Sequence, residues 1–360
     1  MSRLGRLDTA AFRDWLTESD FHGVVLVEGD DDEEPLAIAM GLADRAARLP
    51  IHAGTRFGTA STTKLLTGLT VARLVDRGGV RYEDRLVDLV AEELLPRDLD
   101  PRVTLFHLLS HTSGVGDYAD ESTDLRYEEI WERMPSGNIR GPKDMVPLMR
   151  DLPRTGDPGE APRYNNGAYI LVGIALESVT GKPFPDIVRA EVFDPLEMSS
   201  TGFWPLDGVE PDLAIGYIPP ADDAPPGPPA GAWRTNIYAV PAMGLPDGGV
   251  QATAVDLVKA LDGLTGRGSV GAAFLTARTR ARMIGPHVTN PVSRASAGLG
   301  VIHNGTGATA RIGHSGEDPG FSSRAWVYTA SGERVVVQSN VTEGAWEPFE
   351  RLDELLAAAS

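Results

Sequence analysis

The chain has 360 residues, 42% of them apolar, and carries 51 acidic against 33 basic side chains, a formal net charge of −18. This length and composition predict a globular protein with a sizeable core, built either as one large domain with two lobes or as two domains. The negative charge argues against nucleic acid and anionic membrane as partners. The chain contains no cysteine, which excludes disulfides, thiol catalysis and thiolate metal sites.

The amino-terminal residues 1–6 are followed by mixed polar residues and not by the apolar stretch of a secretory signal. No apolar run approaches the length of a membrane-spanning helix. These two features predict a cytoplasmic location.

The first elements in chain order are a helix and a hairpin. Thr9–Leu16 has the amphipathic pattern of a short helix. Gly23–Glu28 and Leu36–Gly41 read as strands, and the turn between them predicts that they pair as a hairpin. That turn, residues 29–34, is acidic but lacks the spaced ligands of a calcium-binding loop, so we expect it to be a solvated tip.

The next helix is predicted over residues 61–77, because apolar side chains recur there at helical spacing and two glycines follow. Ser61 and Lys64 would lie on one face of it, one turn apart. A desolvated lysine near the positive end of a helix dipole has a lowered pKa and can serve as a base beside a serine nucleophile. The alternative is a helix-capping serine followed by a solvated lysine. Of the four lysines in the chain, only Lys64 has a serine three residues before it.

The middle of the chain is predicted to be mainly helical. Residues 104–114 form a short apolar helix with a polar end closed by Gly114. His107 and His111 are four residues apart, but no third ligand completes a metal site, so we expect capping and core hydrogen bonding. Further helices are predicted over Tyr127–Met134, over Asp144–Asp151, and from residues 163–167 through Val179 to a stop at Gly181. Residues 219–229 are too rich in proline for regular structure.

The last third begins with a helix around Val255–Leu264 and is then predicted to form strands. The predicted strands are Ala297–Ile302, Ala308–Gly313, Ser322–Thr329 and Arg334–Gln338, followed by a closing helix over Glu347–Ala358. Strands at both ends of the chain, with helices between them, predict an α+β fold. In that fold an antiparallel sheet is assembled from both termini and a helical lobe is inserted in the middle.

Tyr164-Asn165-Asn166 is the only Tyr-x-Asn sequence in the chain and lies at the turn before the long helix. A phenol near a lysine can carry a proton to and from a serine. An asparagine two residues later can bind a substrate carbonyl or hold the lysine. The alternative is that Asn166 caps the helix and Tyr164 is half-buried.

A His-x-Gly sequence occurs three times, beginning at His52, His303 and His314. We favour the third, because Gly316 and Gly320 predict tight turns there that allow a ligand to approach the backbone closely. A backbone N–H in this segment, together with that of Ser61, would form an oxyanion hole.

Ser61-x-x-Lys64, Tyr164-x-Asn166 and His314-Ser315-Gly316, in this order, resemble the serine β-lactamase-like family, as does the segment 107–114. That family includes class C β-lactamases, DD-peptidases of the penicillin-binding-protein type, and related esterases and amidases. The resemblance covers about residues 23–340. It implies a single catalytic domain over residues 1–360. An α/β lobe with an antiparallel sheet (about 1–60 and 245–360) would meet a mainly helical lobe (about 61–244) at a cleft.

The resemblance also implies catalytic roles. Ser61 would be the nucleophile, Lys64 its activator, and Tyr164 the general base and acid.

Five more residues are implied as ligands of the substrate or as parts of the oxyanion hole. Asn166 would bind substrate or lysine. His314 and Gly316, with Ser315 between them, would line the sheet edge, and the Glu317 N–H would join that of Ser61 in the oxyanion hole. The third motif departs from the Lys-Thr-Gly of true β-lactamases and looks more like the peptidase and esterase branch. The Glu317 side chain adds an acid that would disfavour substrate carboxylates or attract an amine.

The leading prediction is therefore a cytoplasmic esterase or amidase that acts on a small ester, amide or peptide through a Ser61 acyl-enzyme, with no cofactor and no metal. A D-Ala-D-Ala type carboxypeptidase, a β-lactamase, an acyltransferase and a slowly deacylating penicillin-binding or sensor protein remain open. A metallohydrolase is weakly supported, because the histidines do not cluster at ligand spacing. The cleft is expected to be shaped by five aromatic residues, Tyr118, Trp204, Tyr217, Trp233 and Tyr238.

Overall fold

A computed structural model describes residues 3–29, 34–121, 123, 127–220, 232–289 and 295–359. The acidic tip predicted at residues 29–34 and the proline-rich segment predicted at 219–229 lie largely outside these ranges. None of the described helices has the length and apolar character needed to cross a membrane.

The helices of the described residues are spread over the whole chain. They are α1 (Thr9–Glu18), α2 (Thr63–Asp76), α3 (Leu86–Leu89), α4 (Leu105–Leu109), α5 (Tyr127–Arg133), α6 (Val146–Met149), α7 (Asn166–Thr180), α8 (Phe184–Val188), α9 (Ala254–Thr265), α10 (Gly268–Phe274), α11 (Ala277–Ile284) and α12 (Trp346–Ala358). Short 3₁₀ turns add Leu4–Arg6, Ala60–Thr62, Glu92–Leu94, Ser136–Asn138, Pro142–Met145 and Gly307–Thr309, and a π-helical turn covers Arg189–Phe193.

The strands lie mainly at the two ends of the chain. They are β1 (Gly23–Glu28), β2 (Leu36–Met40), β3 (Leu42–Asp44), β4 (Leu49–Pro50), β5 (Phe57–Gly58), β6 (Tyr217–Ile218), β7 (Arg234–Thr235), β8 (Gln251–Ala252), β9 (Val288–Thr289), β10 (Ser296–Ala297), β11 (Ile302–Asn304), β12 (Arg311–Asp318), β13 (Phe321–Tyr328) and β14 (Arg334–Ser339).

One antiparallel sheet combines strands from both ends of the chain in the order β2-β1-β14-β13-β12-β11-β10-β9. The amino-terminal hairpin joins the sheet through β1, which pairs with β14 from Gly23 opposite Ser339 to Glu28 opposite Arg334. The predicted α+β fold, with a sheet assembled from both termini, is confirmed. The division into two lobes near residues 60 and 245 stays a prediction.

The two faces of the sheet are covered by different helices. On one face α1 and α12 pack over a cluster that includes Leu16, Val25, Val337 and Leu352. The other face packs against α9, behind which the larger cluster extends into α2, α4 and α7. This arrangement buries α2 on nearly every side, as expected for a helix with apolar residues around its whole circumference.

Two predicted strands in the last third were wrong. Ala297–Ile302 is not one strand: β10 ends at Ala297 and β11 begins at Ile302, with a glycine-containing turn between them. The segment predicted as Ala308–Gly313 begins later and runs through Asp318 as β12. Gly316, predicted to form a tight turn, is therefore extended backbone, and every residue from 311 to 318 pairs with β13. The turn predicted at Gly320 is present, since Gly320 (φ +87°) lies between β12 and β13. Strand pairing overrides the weak local preference of this glycine-containing segment.

Candidate active site

The Ser61 side chain lies at a 3₁₀ turn, Ala60–Thr62, that leads directly into α2. Ala60 adopts a φ of +46°, which is uncommon for a residue with a side chain, and it is fully buried. A backbone conformation of this kind persists only where the surrounding structure holds it. The turn is therefore a constrained feature that fixes where Ser61 points.

Hydrogen bonds hold this turn against β13. The Ser323 hydroxyl donates to the Thr59 carbonyl at 2.7 Å, so the Thr62 hydroxyl, 2.6 Å from Ser323 Oγ, is the donor in that second contact. On the other side, the Thr59 N–H donates to the Val250 carbonyl at 2.8 Å. The chain segment that follows Asp247 is thereby fixed next to the Ala60–Thr62 turn.

Lys64 is fully buried and its ammonium nitrogen contacts three oxygens. Nζ lies 2.9 Å from Ser61 Oγ, 2.7 Å from Asn166 Oδ1 and 2.7 Å from the Asp247 carbonyl oxygen. Burial lowers the pKa of Lys64 below its ordinary value, although the nearby Asp247 carboxyl acts in the opposite direction. The desolvation that would lower the pKa of this lysine is thus present in the structure.

Tyr164 and Asn166 reach the same place from the amino terminus of α7. Asn165, and not Asn166, caps this helix by accepting from the Ala168 N–H, which leaves the Asn166 side chain free to contact Lys64. The Tyr164 hydroxyl is hydrogen-bonded to Ser61, and burial raises the pKa of this phenol well above its usual value. The structure therefore brings together Ser61, Lys64, Tyr164 and Asn166 from two helices.

A carboxylate that sequence reasoning missed positions this helix end. Asp117 accepts from the Asn166 N–H and from the Gly167 N–H, both at 2.9 Å. These are free donors at the start of α7, where a negative charge is favourable. An acid three residues beyond the 107–114 segment carries no recognisable motif, so nothing in the local sequence reveals this role.

His107 and His111 have the structural roles expected for them. His107 forms a capping box with Thr104 at the start of α4. His111 accepts from the Asn165 N–H at 3.1 Å and stacks on the Tyr164 ring with 4.6 Å between ring centroids. Within the described residues, no group of three or more His, Asp or Glu side chains has the arrangement of a metal site.

Strand β12 passes directly beside the Ala60–Thr62 turn, and the two approach closely at Gly316. A Cβ atom at Gly316 would lie 2.2 Å from the Thr59 carbonyl oxygen and 2.8 Å from the Ser61 backbone nitrogen. Because real Cβ atoms do not come so close to backbone atoms, only glycine fits here without displacement of the strand or the turn.

The side chains next to Gly316 point to different surroundings. His314 is 2% exposed and its Nδ1 lies 2.6 Å from the Ser315 carbonyl oxygen, so Nδ1 carries the proton. Burial lowers the pKa of His314 to about 3, and the imidazole is neutral. The Glu317 carboxylate instead accepts from the Trp346 indole N–H at 2.6 Å and from the Glu343 N–H at 2.7 Å.

The other two His-x-Gly segments lie elsewhere: His52 contacts Asp212, and His303 contacts the Ile284 carbonyl.

Two adjoining cavities lie at this site. The acidic cavity, about 100 Å³, is lined by Ser61, Ala119, Asp120, Glu121, Tyr127, Ile130, Asn166, Asp247, Gly248, Glu317 and Asp318. The apolar cavity, about 30 Å³, is lined by Gly58, Tyr127, Leu206, Asn236, Val240, Pro241, Met243, Gly244, Leu245, Asp247, Gly248, Gly249, Gln251, Asp318 and Phe321. The two cavities share Tyr127, Asp247, Gly248 and Asp318. The acidic residues 247 and 318 were not identified from the sequence.

The aromatic residues expected to shape the cleft are mostly elsewhere. Trp204 stacks with Arg56 and Trp233 with Arg45, away from both cavities. Tyr217 and Tyr238 do not line the cavities either. Only Tyr118 contacts the site, since its hydroxyl donates to the Asp247 carboxylate.

Comparison with known proteins gives the same family as the motifs. The family model described as Beta-lactamase matches residues 9–360. Esterase EstB from Burkholderia gladioli is 35% identical over 208 residues, which are 56% of this chain and 52% of the esterase. The crystal structure of a penicillin binding protein from Bacillus halodurans has a TM-score of 0.86 and 31% identity, and the match covers 96% of this chain and 99% of that one.

The D-amino acid amidase from Ochrobactrum anthropi SV3 has a TM-score of 0.78 at 22% identity, with 97% of each chain covered, and this likeness concerns the fold. The chain spans between about half and two thirds of the length of the curated relatives it matches. Because the family model covers almost the whole chain, the protein belongs to the β-lactamase family.

Proposed function

We propose that this protein hydrolyses a small ester or amide through an acyl-enzyme on Ser61. The observation that carries the proposal is the contact between Ser61 Oγ and a fully buried Lys64 Nζ at 2.9 Å. A serine hydroxyl is a weak nucleophile until a base takes its proton, and an amine whose pKa is lowered by burial is such a base.

The two other contacts of Lys64 orient its lone pair. In the neutral amine, the two N–H groups donate to Asn166 Oδ1 and to the Asp247 carbonyl, and the lone pair then accepts the Ser61 hydroxyl. As Ser61 Oγ forms its bond to the carbonyl carbon, its proton passes to Lys64 and the carbonyl π electrons move onto the oxygen. The role of first base thus falls to Lys64 more than to Tyr164, whose raised pKa keeps it protonated.

Tyr164 supplies the next proton. Its hydroxyl, hydrogen-bonded to Ser61, donates to the leaving alcohol or amine as the bond to the carbonyl carbon breaks, and it regains a proton from Lys64. Water then attacks the acyl-enzyme, and its proton follows the reverse route to Ser61 Oγ. The products are the carboxylic acid and the free alcohol or amine.

The developing oxyanion would be bound by backbone N–H groups of Ser61 and Glu317. The support for this assignment is the close approach of β12, at Gly316, to the Ala60–Thr62 turn that carries Ser61 (the nucleophile turn). His314 and Ser315 would hold this strand in place, His314 as a neutral ring packed near Tyr164, with 6.4 Å between ring centroids. The hydroxyl of Ser315 accepts from Arg324 at 2.6 Å.

The acid-lined cavity favours an esterase or amidase over the other candidates. The substrates of a carboxypeptidase and of a β-lactamase both carry a carboxylate near the scissile bond. Such an anion would lie among five acidic residues, and like charges held in one site repel each other. The cytoplasmic location predicted from the sequence stays a prediction.

Intact-protein mass spectrometry with p-nitrophenyl butyrate tests the proposal. The wild-type protein should gain one butyryl group transiently and release p-nitrophenol over many turnovers. Ser61→Ala should show neither adduct nor turnover, whereas Ser178→Ala, a change near the carboxyl end of α7 at a residue that lines neither cavity, should behave as the wild type. Turnover retained in Ser61→Ala, or an adduct on another residue, would show that the nucleophile is wrong.

A further inference from the structure

Strand β12 loses one of its two strand neighbours before it reaches the nucleophile turn. β11 pairs with residues 311–313 of β12, whereas β13 pairs with all of residues 311–318. In the part of the chain that the structure describes, His314–Asp318 therefore has a strand on one side only. The open edge approaches the nucleophile turn at Gly316. An unpaired edge leaves backbone N–H groups available to a ligand, but it also holds the strand less firmly than pairing on both sides would.

The side chains on either side of Gly316 are held from the face that α12 covers. Residues two apart in a strand share one face of the sheet, so Ser315 and Glu317 lie together there. The Ser315 hydroxyl accepts from Arg324, its partner across β13, at 2.6 Å. Arg324 is 7% exposed, and its guanidinium group stacks on the Trp346 ring. The open stretch of β12 is thus connected through Arg324 to the start of α12.

Glu317 makes a second connection to the same place. Its Oε2 accepts from the Trp346 indole N–H at 2.6 Å, and its Oε1 accepts from the Glu343 N–H at 2.7 Å. Neither donor belongs to the sheet, since Trp346 is the first residue of α12 and Glu343 lies just before it. Hydrogen bonds to an ionised carboxylate are stronger than neutral ones. With a different donor on each oxygen, the carboxylate is fixed from two directions.

Helix α12 is a firm support for these contacts. Phe349, Leu352 and Leu356 are buried and anchor the helix in the cluster on this face of the sheet. Trp346 is 36% exposed and is not part of that cluster. Its ring and its N–H contact Arg324 and Glu317 instead, so the loss of the N–H alone should leave the helix in place.

We propose that Trp346 and Arg324 are positioning residues, which hold the open stretch of β12 so that the Glu317 N–H stays at the right distance from Ser61 to bind the oxyanion. This inference rests on the proposed function and adds how its oxyanion site is kept in place from outside the cavities. Such a site stabilises the transition state only if its donors are fixed before the reaction begins. A misplacement of about 1 Å costs as much as about 100-fold in rate.

Trp346→Phe tests the proposal, because it removes the indole N–H and keeps an aromatic ring for Arg324. Acylation by p-nitrophenyl butyrate would be followed by stopped flow at pH 8.5, above the pKa of about 7 to which burial raises Glu317. The maximal rate of the first turnover should fall about 10-fold, whereas the half-saturating ester concentration should stay within about 2-fold, because the lost interaction is made only in the transition state. Inhibition by butaneboronic acid, whose tetrahedral adduct on Ser61 resembles that state, should weaken by the same factor.

Trp15→Phe is the matched control. Trp15 is half-buried on α1, packs against the same cluster and lines neither cavity. Its rate and its inhibition by the boronic acid should be those of the wild type. A double-mutant cycle then tests whether Trp346 acts through Glu317. Glu317→Gln alone should also slow acylation about 10-fold, and the double variant should be slowed by about 10-fold to 20-fold, not by the about 100-fold of independent effects.

The outcomes separate the inference from the proposed function. An unchanged maximal rate in Trp346→Phe, an effect confined to the half-saturating concentration, or independent effects in the cycle would overturn the positioning role and leave the Ser61 acyl-enzyme intact. If the wild type itself is not acylated on Ser61, the proposed function fails and the inference fails with it. Should Trp346→Phe not fold, Glu317→Gln decides by the same two quantities, and a wild-type maximal rate in that variant would overturn the inference.

Discussion

Lys64 contacts Ser61 from inside the protein, whereas Asp318 lines the acidic cavity beside Ser61, and the hydrogen bonding of the two side chains is opposite. Lys64 contacts three oxygens at 2.7–2.9 Å, all supplied by the protein. The Asp318 side chain has no hydrogen-bond partner among the described residues. Groups that move protons in every turnover benefit from a fixed geometry, whereas a group that recognises a ligand has to be left open to it. The comparison thus separates the proposed catalytic machinery from a carboxyl group at the cavity wall that the protein leaves open.

The largest expected effect comes from removal of the amine. Lys64→Met fills a similar volume but cannot accept the Ser61 proton, so we expect the rate of acylation by p-nitrophenyl butyrate to fall roughly 10²–10⁴-fold. The rate is measured by stopped-flow release of p-nitrophenol in the first turnover. Lys143→Met, which removes a half-exposed lysine paired with Glu177, is the matched control and should acylate at the wild-type rate. Acylation of Lys64→Met within 10-fold of the wild type would mean that another group is the base.

The next largest expected effect, on kcat and on stability, comes from a change in the distance between strand β12 and the nucleophile turn. Gly316→Ala places a methyl group where the Thr59 carbonyl oxygen is 2.2 Å away, so β12 or the turn has to move. A displacement of this size should reduce kcat by about 10–100-fold and the free energy of unfolding by about 1–3 kcal/mol. Steady-state kinetics and urea unfolding measure the two quantities.

Gly137→Ala is the control for that substitution. A Cβ atom there would meet nothing within 4 Å, and Gly137 lies in a 3₁₀ turn and lines neither cavity. We expect kcat to be unchanged and stability to differ by less than about 0.5 kcal/mol. If Gly316→Ala behaves as Gly137→Ala does, the close approach of β12 is not needed for activity.

Much of the fold could be predicted because its signals are local. Helix α7 is the clearest case: apolar residues at helical spacing and a left-handed Gly181 at its end (φ +68°) place its limits within a residue or two. Strand β12 could not be predicted in the same way. Its extended conformation through residues 314–318 comes from pairing with β13, and a segment with two glycines and several polar residues shows little strand preference of its own.

The same distinction applies to the site. Ser61 and Lys64 are one helical turn apart, and Tyr164 and Asn166 share the start of a second helix, so each pair is visible as a short motif. Asp247 and Asp318 reach the cavity from separate parts of the chain, 183 and 254 residues beyond Lys64. A single acidic residue has no spacing pattern. The positions of Asp247 and Asp318 become visible only from the pairing of β5 with β8 and from the packing of β12 against the Ala60–Thr62 turn.

The smallest effect concerns stability. The pKa of the Asp318 carboxyl group rises from 3.8 in the unfolded chain to about 8 in the fold, so this group binds its proton more tightly when the protein is folded. Its favourable contribution to folding is complete below pH 3.8 and is lost progressively as the pH rises through about 8. Asp318 faces Asp247, Glu317 and Glu121, which raise this pKa further, and Lys64, which lowers it. Asp318→Asn removes the titration, so we expect the free energy of unfolding at pH 8.5 to rise by about 1–3 kcal/mol.

Urea unfolding of the wild type and Asp318→Asn at intervals between pH 4 and pH 9 measures this difference. The two curves should lie close together near pH 4 and separate steadily towards pH 8. Burial also raises the pKa of Glu317, to about 7, and its titration should make both proteins less stable as the pH rises, so the difference between the curves is the informative quantity. A constant gap at every pH would mean that the substitution acts through packing. A gain in stability at pH 8.5 that disappears near pH 4 would show that the ionised Asp318 carboxylate lowers the free energy of unfolding at high pH.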